Sequence, residues 1–91
     1  MSDTLPRRRH AVIAESTTRQ GDRIEVIIRH DVRTSFSRTV DPRANRAAQK
    51  AMCPHERWSL VDADYGKEEL TTVDEYRAGI CRSVVHYRRT A

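Results

Sequence analysis

Aromatic residues and cysteines are scarce in this chain of 91 residues, which contains one Phe, three Tyr, one Trp and two Cys. A sheet that binds RNA by stacking bases on aromatic rings needs more of them than this sequence supplies. Two cysteines without a signal-like apolar stretch argue against a secreted domain held by disulfides. No apolar run approaches the roughly 20 residues that cross a bilayer. We therefore expect a cytoplasmic protein with no membrane partner.

The common catalytic motifs are absent as well. The sequence has no Gly-rich phosphate loop, no Gly-x-Ser-x-Gly turn and no His-Glu-x-x-His pair. Four carboxylates fall within residues 62–69, but Tyr65 and Gly66 stand where a calcium loop needs ligands. Carboxylates act as acid and base only where they converge in a pocket. We expect a solvated acidic turn or an acidic contact patch there, and a protein that is not an enzyme and has no cofactor.

The charge is unevenly distributed along the chain, although the net charge is only +4. Residues 1–57 carry 12 basic and seven acidic groups, residues 58–75 one and six, and residues 76–91 four and none. The cations are 15 Arg and only two Lys, and guanidinium groups bind carboxylate and phosphate with two parallel hydrogen bonds. Such segments indicate either a solvated surface with internal salt bridges or a dedicated binding face.

Residues 1–9 lack periodicity and end in three arginines, which predicts a flexible basic arm before a single domain over residues 10–91. Two runs that favour β-structure, 10–18 and 23–30, flank the turn formers Gly21 and Asp22 and predict a hairpin. Residues 34–40 alternate in polarity and predict a third strand, and residues 58–65 predict a further one.

A helix is predicted over residues 42–53. Asp41 is a good N-cap acceptor, and Pro42 suits the first helical position because its missing N–H has no partner there. Apolar residues recur at helical spacing and predict the buried face: Ala44, Ala47, Ala48, Ala51 and Met52. Three cations, Arg43, Arg46 and Lys50, form a basic stripe on another side.

The C-terminal segment 72–89 is harder to assign. Thr72 with Glu75 forms a capping-box pattern, and apolar residues from Val73 to Tyr87 recur at helical spacing, which favours a C-terminal helix. Gly79 in the middle costs a helix about 1 kcal/mol relative to Ala, and the Ser-Val-Val run at 83–85 equally suits a strand.

Two Cys and His pairs raise the possibility of a structural zinc site: Cys53 with His55, and Cys81 with His86. Tetrahedral zinc takes four such ligands, and a small domain with a thin core gains stability from the metal. The spacing is not that of a common zinc finger, because Pro54 separates the first pair. The alternative is that Pro54 ends the helix, Cys53 is a small buried side chain and His55 lies near the last carbonyls. We favour no metal.

Direct nucleic-acid binding is a further hypothesis. A sequence pI of about 9.6 and separate groups of arginines fit the neutralisation of phosphates. The acidic block at 58–75 and the absence of a helix-turn-helix or RNA-recognition signature argue against sequence-specific recognition.

The run "AESTTRQGDRIEVIIR" followed by "VDPRANRAAQKAM" resembles the hairpin and helix start of small anti-CRISPR proteins from phages and mobile elements, which inhibit type I CRISPR-Cas complexes. The resemblance covers residues 11–52. It implies a non-enzymatic inhibitor in the bacterial host cell, which binds a Cas subunit or complex and blocks DNA access or nuclease recruitment. No residue role is carried over from that family.

The sequence therefore predicts an α+β domain with an antiparallel sheet of three to four strands, an Ala-rich helix packed on it, and a C-terminal helix. The predicted function is non-enzymatic binding to a protein or nucleoprotein target, with direct DNA or RNA binding as the alternative and a zinc-stabilised module as the third hypothesis. The predicted contact residues are all basic: Arg43, Arg46, Lys50, Arg82, Arg88 and Arg89.

Overall fold

The computed structural model describes residues 11–91, in which four antiparallel strands form one sheet. The predicted basic arm at 1–9 lies outside the described residues. The strands are β1 (Ile13–Gln20), β2 (Arg23–Asp31), β3 (Trp58–Asp64) and β4 (Ile80–Arg89), in the spatial order β1-β2-β4-β3. Two helices are of regular α type, α1 (Asp41–Gln49) and α2 (Val73–Arg77). The α+β class is confirmed.

The hairpin forms where the sequence predicts it. Gln20 pairs with Arg23, so Gly21 and Asp22 are the two residues of the turn. Gly21 has a φ of 61°, a conformation that a residue with a Cβ rarely adopts and that a two-residue hairpin turn requires. β2 then continues along β4 in an unbroken register from Arg23 opposite Arg88 to Asp31 opposite Ile80.

Both edge strands contain an irregularity in their pairing. The register shifts between Ala14 and Ser16 in β1 and between Leu60 and Asp62 in β3. An extra residue at an edge bends the strand and interrupts its row of free backbone groups, which discourages pairing with another chain.

The core lies between the sheet and α1. Alternate residues of the central strands, Ile24, Val26 and Ile28 on β2 with Val85 and Tyr87 on β4, are at most 4% exposed. From the helical side Val40, Ala44 and Ala48 are fully buried against them. Small alanine side chains let the helix approach the sheet closely, as the sequence predicts.

The helical segment begins earlier than the sequence predicts. Residues Phe36–Val40, which we predicted to be a strand, form a single π-helical turn that leads directly into α1. The side chain of Ser35 caps this turn by accepting from the backbone N–H of Arg38. A wider turn at this point also suits Pro42, whose ring would clash with the carbonyl four residues earlier in a regular α-helix. The helix also ends earlier, at Gln49 and not at Cys53.

Asp41 is consequently not the N-cap. Its carboxylate instead accepts hydrogen bonds from the Tyr65 hydroxyl, at 2.8 and 3.0 Å. Burial and the neighbouring Asp41 carboxylate raise the pKa of Tyr65 to about 12. The Tyr65 ring also stacks on Phe36, with 4.2 Å between ring centroids. These contacts join the start of the helical segment to the end of β3.

The predicted C-terminal helix is found only at Val73–Arg77, and residues 80–89 form β4. The capping box of Thr72 and Glu75 is present at the start of α2. Gly79 adopts a φ of 86°, which a helix interior does not allow, and the chain enters β4 at the next residue. None of the helices within residues 11–91 is long and apolar enough to cross a membrane.

Candidate nucleic-acid interface

The outward face of α1 carries amide and cationic side chains and no carboxylate. Ala44 and Ala48 are buried in the core, whereas six of their neighbours in the chain are exposed: Pro42, Arg43, Asn45, Arg46, Gln49 and Lys50. After Asp41 the next acidic residue in the chain is Glu56. The basic stripe predicted from the sequence is therefore on the surface.

Two further arginines extend this stripe along the flank of the helical segment that faces β1. One cleft is lined by Val12, Asp31, Arg33 and Arg38 among others, and an adjoining cleft by Val12 with the three stripe residues. We name the set of five the cationic strip: Arg33, Arg38, Arg43, Arg46 and Lys50. No side chain of the strip makes an ion pair or hydrogen bond with residues 11–91, so their positive charges stay unneutralised within that part of the chain.

Most arginines on the sheet form ion pairs with carboxylates. Arg82 donates to Glu15 at 2.6 Å and to Glu75 at 2.7 Å, and its side chain is 17% exposed. The carboxylate of Glu75 accepts hydrogen bonds from Arg82 and from the backbone N–H of Thr72, and these bonds lower its pKa to about 2. The hydrogen bond from Arg82 likewise lowers the pKa of Glu15. Arg82 therefore holds β1, β4 and α2 together.

The six predicted contact residues thus fall into separate groups. Arg43, Arg46 and Lys50 lie together on the cationic strip. Arg88 is exposed on β4 and forms no ion pair with residues 11–91, while Arg89 donates to Glu56 at 3.0 Å. Arg82 is bound by two carboxylates, as described above. The structure brings half of the predicted set to one surface.

The hypothetical zinc ligands do not converge. Cys53 is exposed beyond the end of α1, whereas Cys81 is 6% exposed on β4. His86 lies five positions after Cys81 on the same strand, so the two side chains point to opposite faces of the sheet. Among residues 11–91 no three His, Cys, Asp or Glu side chains are grouped so that they could hold a metal ion.

Half-buried His86 and buried Cys81 have different surroundings. His86 is held by Asp62 on one ring nitrogen at 2.7 Å and by Glu25 on the other at 3.2 Å. Cys81 lies 3.7 Å from both ring nitrogens of His30, and burial raises the pKa of its thiol. The thiol is therefore kept in its neutral, unreactive form.

A Ser-His pair is also present but is structural. The Ser83 hydroxyl lies 2.7 Å from Nε2 of His30, and both residues are fully buried. Nδ1 of His30 is 2.8 Å from the Asp31 carbonyl and must donate to it, so Nε2 accepts from the hydroxyl. The Gly66 N–H donates to the same Ser83 oxygen. A hydroxyl enclosed in this way has no access to a substrate.

The acidic turn at 62–69 is partly neutralised from within. Lys67 lies 3.1 Å from Asp64 and 3.4 Å from Glu69, and Asp62 is bound to His86. These contacts agree with a solvated turn that has internal salt bridges. Within the described part of the chain, the carboxylates of this turn do not form a group of three or more that could hold a metal ion.

Sequence reasoning missed Arg33, Arg38, Asn45 and Gln49 as members of this surface. Arg38 was hidden because residues 34–40 were predicted to be a strand, and Arg33 lies just before that segment. The two amides gave a signal, since they belong to a run of eight residues after Pro42 that contains no acidic side chain.

Comparison of the chain with protein-family models, with characterised proteins and with solved structures finds no match.

Proposed function

We propose that this protein is a non-enzymatic nucleic-acid-binding protein that contacts phosphates through the cationic strip. The observation that supports it is a row of five cations along one flank of the helical segment that have no ion-pair partner within residues 11–91, whereas most arginines on the sheet are bound to carboxylates. Unpaired surface charge of one sign attracts a polyanion and releases the counterions condensed on it.

The composition of the strip also suits phosphate. Four of its five members are arginines, whose planar guanidinium groups bind phosphate oxygens with two parallel hydrogen bonds. Arg43 and Lys50 are seven positions apart, which corresponds to about 10 Å along a helix. A rigid element therefore presents the charges in a row, at little cost in backbone entropy on binding.

The nucleoprotein function predicted from the sequence is a more specific form of the same proposal. An anti-CRISPR-like inhibitor with this surface would place the strip against guide-RNA phosphates or against an acidic patch of a Cas subunit. No contact within residues 11–91 distinguishes this version, so it stays a prediction. Its test is capture of a Cas complex from a bacterial host lysate and survival of that complex after nuclease treatment.

The direct test compares two triple variants of the full chain. The strip variant combines Arg43→Ala, Arg46→Ala and Lys50→Ala and so removes three charges from the cationic strip. The control variant combines Arg23→Ala, Arg77→Ala and Arg88→Ala. It removes three exposed arginines that lie outside the strip and form no ion pair with residues 11–91. Binding of a labelled DNA duplex is titrated from about 50 to 200 mM salt, a range over which phosphate contacts lose affinity steeply.

We expect the strip variant to lose affinity and to lower the slope of log K against log salt by about three, one for each phosphate contact removed. The control variant keeps most of the slope. Absence of salt-dependent binding by the unchanged protein, or equal losses in the two variants, would overturn the proposal.

A further inference from the structure

The outward face of α1 holds more than positive charge. Arg46 lies at its centre, with Gln49 three positions later on the flank away from β1. Gln49 is exposed and makes no side-chain hydrogen bond with residues 11–91, so the C=O and the NH2 of its amide are both open to a ligand. Phosphate binding by the cationic strip does not require an uncharged amide at this position.

We propose that α1 enters the major groove of double-stranded DNA and that Arg46 and Gln49 contact base edges there. This inference rests on the proposed function, since it assigns a substrate class to the same surface. Arg38, Arg43 and Lys50, on the β1 flank of the helical segment, then contact phosphates along one wall of the groove.

The residue types match the chemistry of the groove. Arginine donates two hydrogen bonds to the O6 and N7 acceptors of guanine, and glutamine pairs with N6 and N7 of adenine. The B-form major groove is about 12 Å wide and admits one α-helix. α1 buries Ala44 and Ala48 against the sheet, and the side chains of Arg43, Arg46 and Gln49 are exposed on its outward face.

Asn45 has a different role in this arrangement. Its side-chain oxygen accepts a hydrogen bond from the hydroxyl of Tyr87, a buried residue of β4. Because that oxygen is directed at Tyr87, Asn45 cannot at the same time aim its oxygen and its amide N–H at N6 and N7 of an adenine in the groove. We therefore assign Asn45 as a positioning residue that ties α1 to the sheet, and Gln49 as the amide that contacts a base.

Other nucleic acids fit this face less well. The major groove of A-form RNA is deep and narrow, so a helix does not reach base edges in it. Single strands are bound largely by stacking on aromatic rings. Trp58 is half-buried, with Arg19 located 5.0 Å from the centre of its ring, and Tyr87 is buried. The outward face of α1 itself contains no aromatic residue.

The first experiment measures binding of the full chain to three probes of one sequence and length: a DNA duplex, an RNA duplex and a DNA single strand. We expect the DNA duplex to bind at least tenfold more tightly than the other two at about 150 mM salt. Equal affinity for the three probes, with the salt slope intact, would overturn groove entry and leave the proposed function standing. Absence of salt-dependent binding to all three would overturn both.

The second experiment isolates base contact from phosphate contact. Replacing guanine by 7-deazaguanine removes the N7 acceptor from the major groove and leaves the phosphates and the minor groove unchanged. We expect the unchanged protein to lose affinity by about 5-fold, the lower end of the range for a bidentate base contact, because the O6 acceptor remains. Arg46→Ala should bind both duplexes equally, whereas Arg43→Ala should keep the discrimination while its salt slope falls by about one.

A third measurement tests the base contact of Gln49. Gln49→Ala should reduce the preference among sequences selected from a randomised duplex pool without changing the salt slope. If the unchanged protein binds the 7-deazaguanine duplex as well as the normal one and selects no sequence from the pool, base reading by α1 is wrong and phosphate binding alone remains.

Discussion

Arg19 on β1 and Glu56 in the loop before β3, 37 positions apart in the chain, form a two-bond ion pair. Nη1 of Arg19 donates to Oε1 at 2.8 Å and Nη2 donates to Oε2 at 2.7 Å. Glu56 also accepts from the indole N–H of Trp58 and from Arg89, and its side chain is only 8% exposed. One carboxylate therefore joins both edge strands and the central strand β4 to the loop that follows α1.

Replacement of Glu56 by Gln should destabilise the fold, because the neutral amide cannot accept from two guanidinium groups and a ring N–H equally well. We expect the Tm to fall by about 4 to 8 °C, measured by circular dichroism at pH 7. Glu68→Gln, an exposed carboxylate in the acidic turn, is the matched control and should change the Tm little. An equal effect of the two substitutions would show that the Glu56 contacts contribute nothing to stability.

The same carboxylate should make the protein sensitive to acid. The hydrogen bonds from Arg19 hold the pKa of Glu56 well below its ordinary value of 4.5. Because the folded-state pKa is the lower one, the contribution to stability is complete above pH 4.5 and is lost as the pH falls further. The difference in unfolding free energy between the unchanged protein and Glu56→Gln should therefore be constant from pH 6 to about pH 5 and shrink from there to pH 3, without vanishing, because the folded-state pKa lies lower still. Parallel curves over that range would contradict this prediction.

His86 should respond to pH in the opposite direction. Burial opposes its protonation, but the bonds to Asp62 and Glu25 outweigh that effect and raise the pKa above 6.5. A raised folded-state pKa contributes stability that is complete below pH 6.5 and is lost as the pH rises through the folded value. Asp62→Asn should lower the pKa of His86 in an NMR titration of the imidazole. Asp74→Asn, an exposed carboxylate on α2, is the control, and an equal shift in both variants would show that Asp62 is not responsible.

The Ser83 hydroxyl is predicted to stabilise the core. Ser83→Ala leaves the Nε2 atom of His30 and the N–H of Gly66 without their partner, and Ser83 and His30 are fully buried. A buried polar group without a partner costs about 1–3 kcal/mol, so we expect a loss in that range in urea unfolding. Ser59→Ala, at an exposed position of β3, should change stability by less than about 0.5 kcal/mol. Comparable values for the two serines would contradict the role of the network.

The elements with a clear local signal were predictable from the sequence. The Gly-Asp turn and the alternation of Ile24, Val26 and Ile28 gave the hairpin, and Trp58 gave the start of β3, which are confirmed. β4 was mispredicted because it lies between two other strands and has buried apolar residues on both faces, Val84 on one and Val85 on the other. A strand of that kind shows no clean alternation, so its apolar residues matched a helical period by chance.

The contact residues of the candidate site were predictable only in part, and the reason differs from that for β4. The stripe of Arg43, Arg46 and Lys50 follows from helical spacing alone. Which arginines are free and which are neutralised depends on pairs distant in sequence, such as Glu15 with Arg82, which are separated by 67 positions. Local patterns contain no information on such pairs, so Arg82 was grouped with the contact residues although it is held in the sheet.

Close packing of α1 on the sheet provides the last prediction. Ala48 is fully buried, so Ala48→Leu must force three additional carbon atoms between the helix and β2 or β4. Overpacking of this kind costs about 1–3 kcal/mol, and we expect that loss in urea unfolding. Gln49→Leu places the same side chain on the adjacent, exposed position and should cost less than about 0.5 kcal/mol. A helix displaced from the sheet also moves the side chains of its outward face. We therefore expect Ala48→Leu to weaken binding to a DNA duplex as well. Equal stability of the two leucine variants would mean that the interface between helix and sheet is not tightly packed.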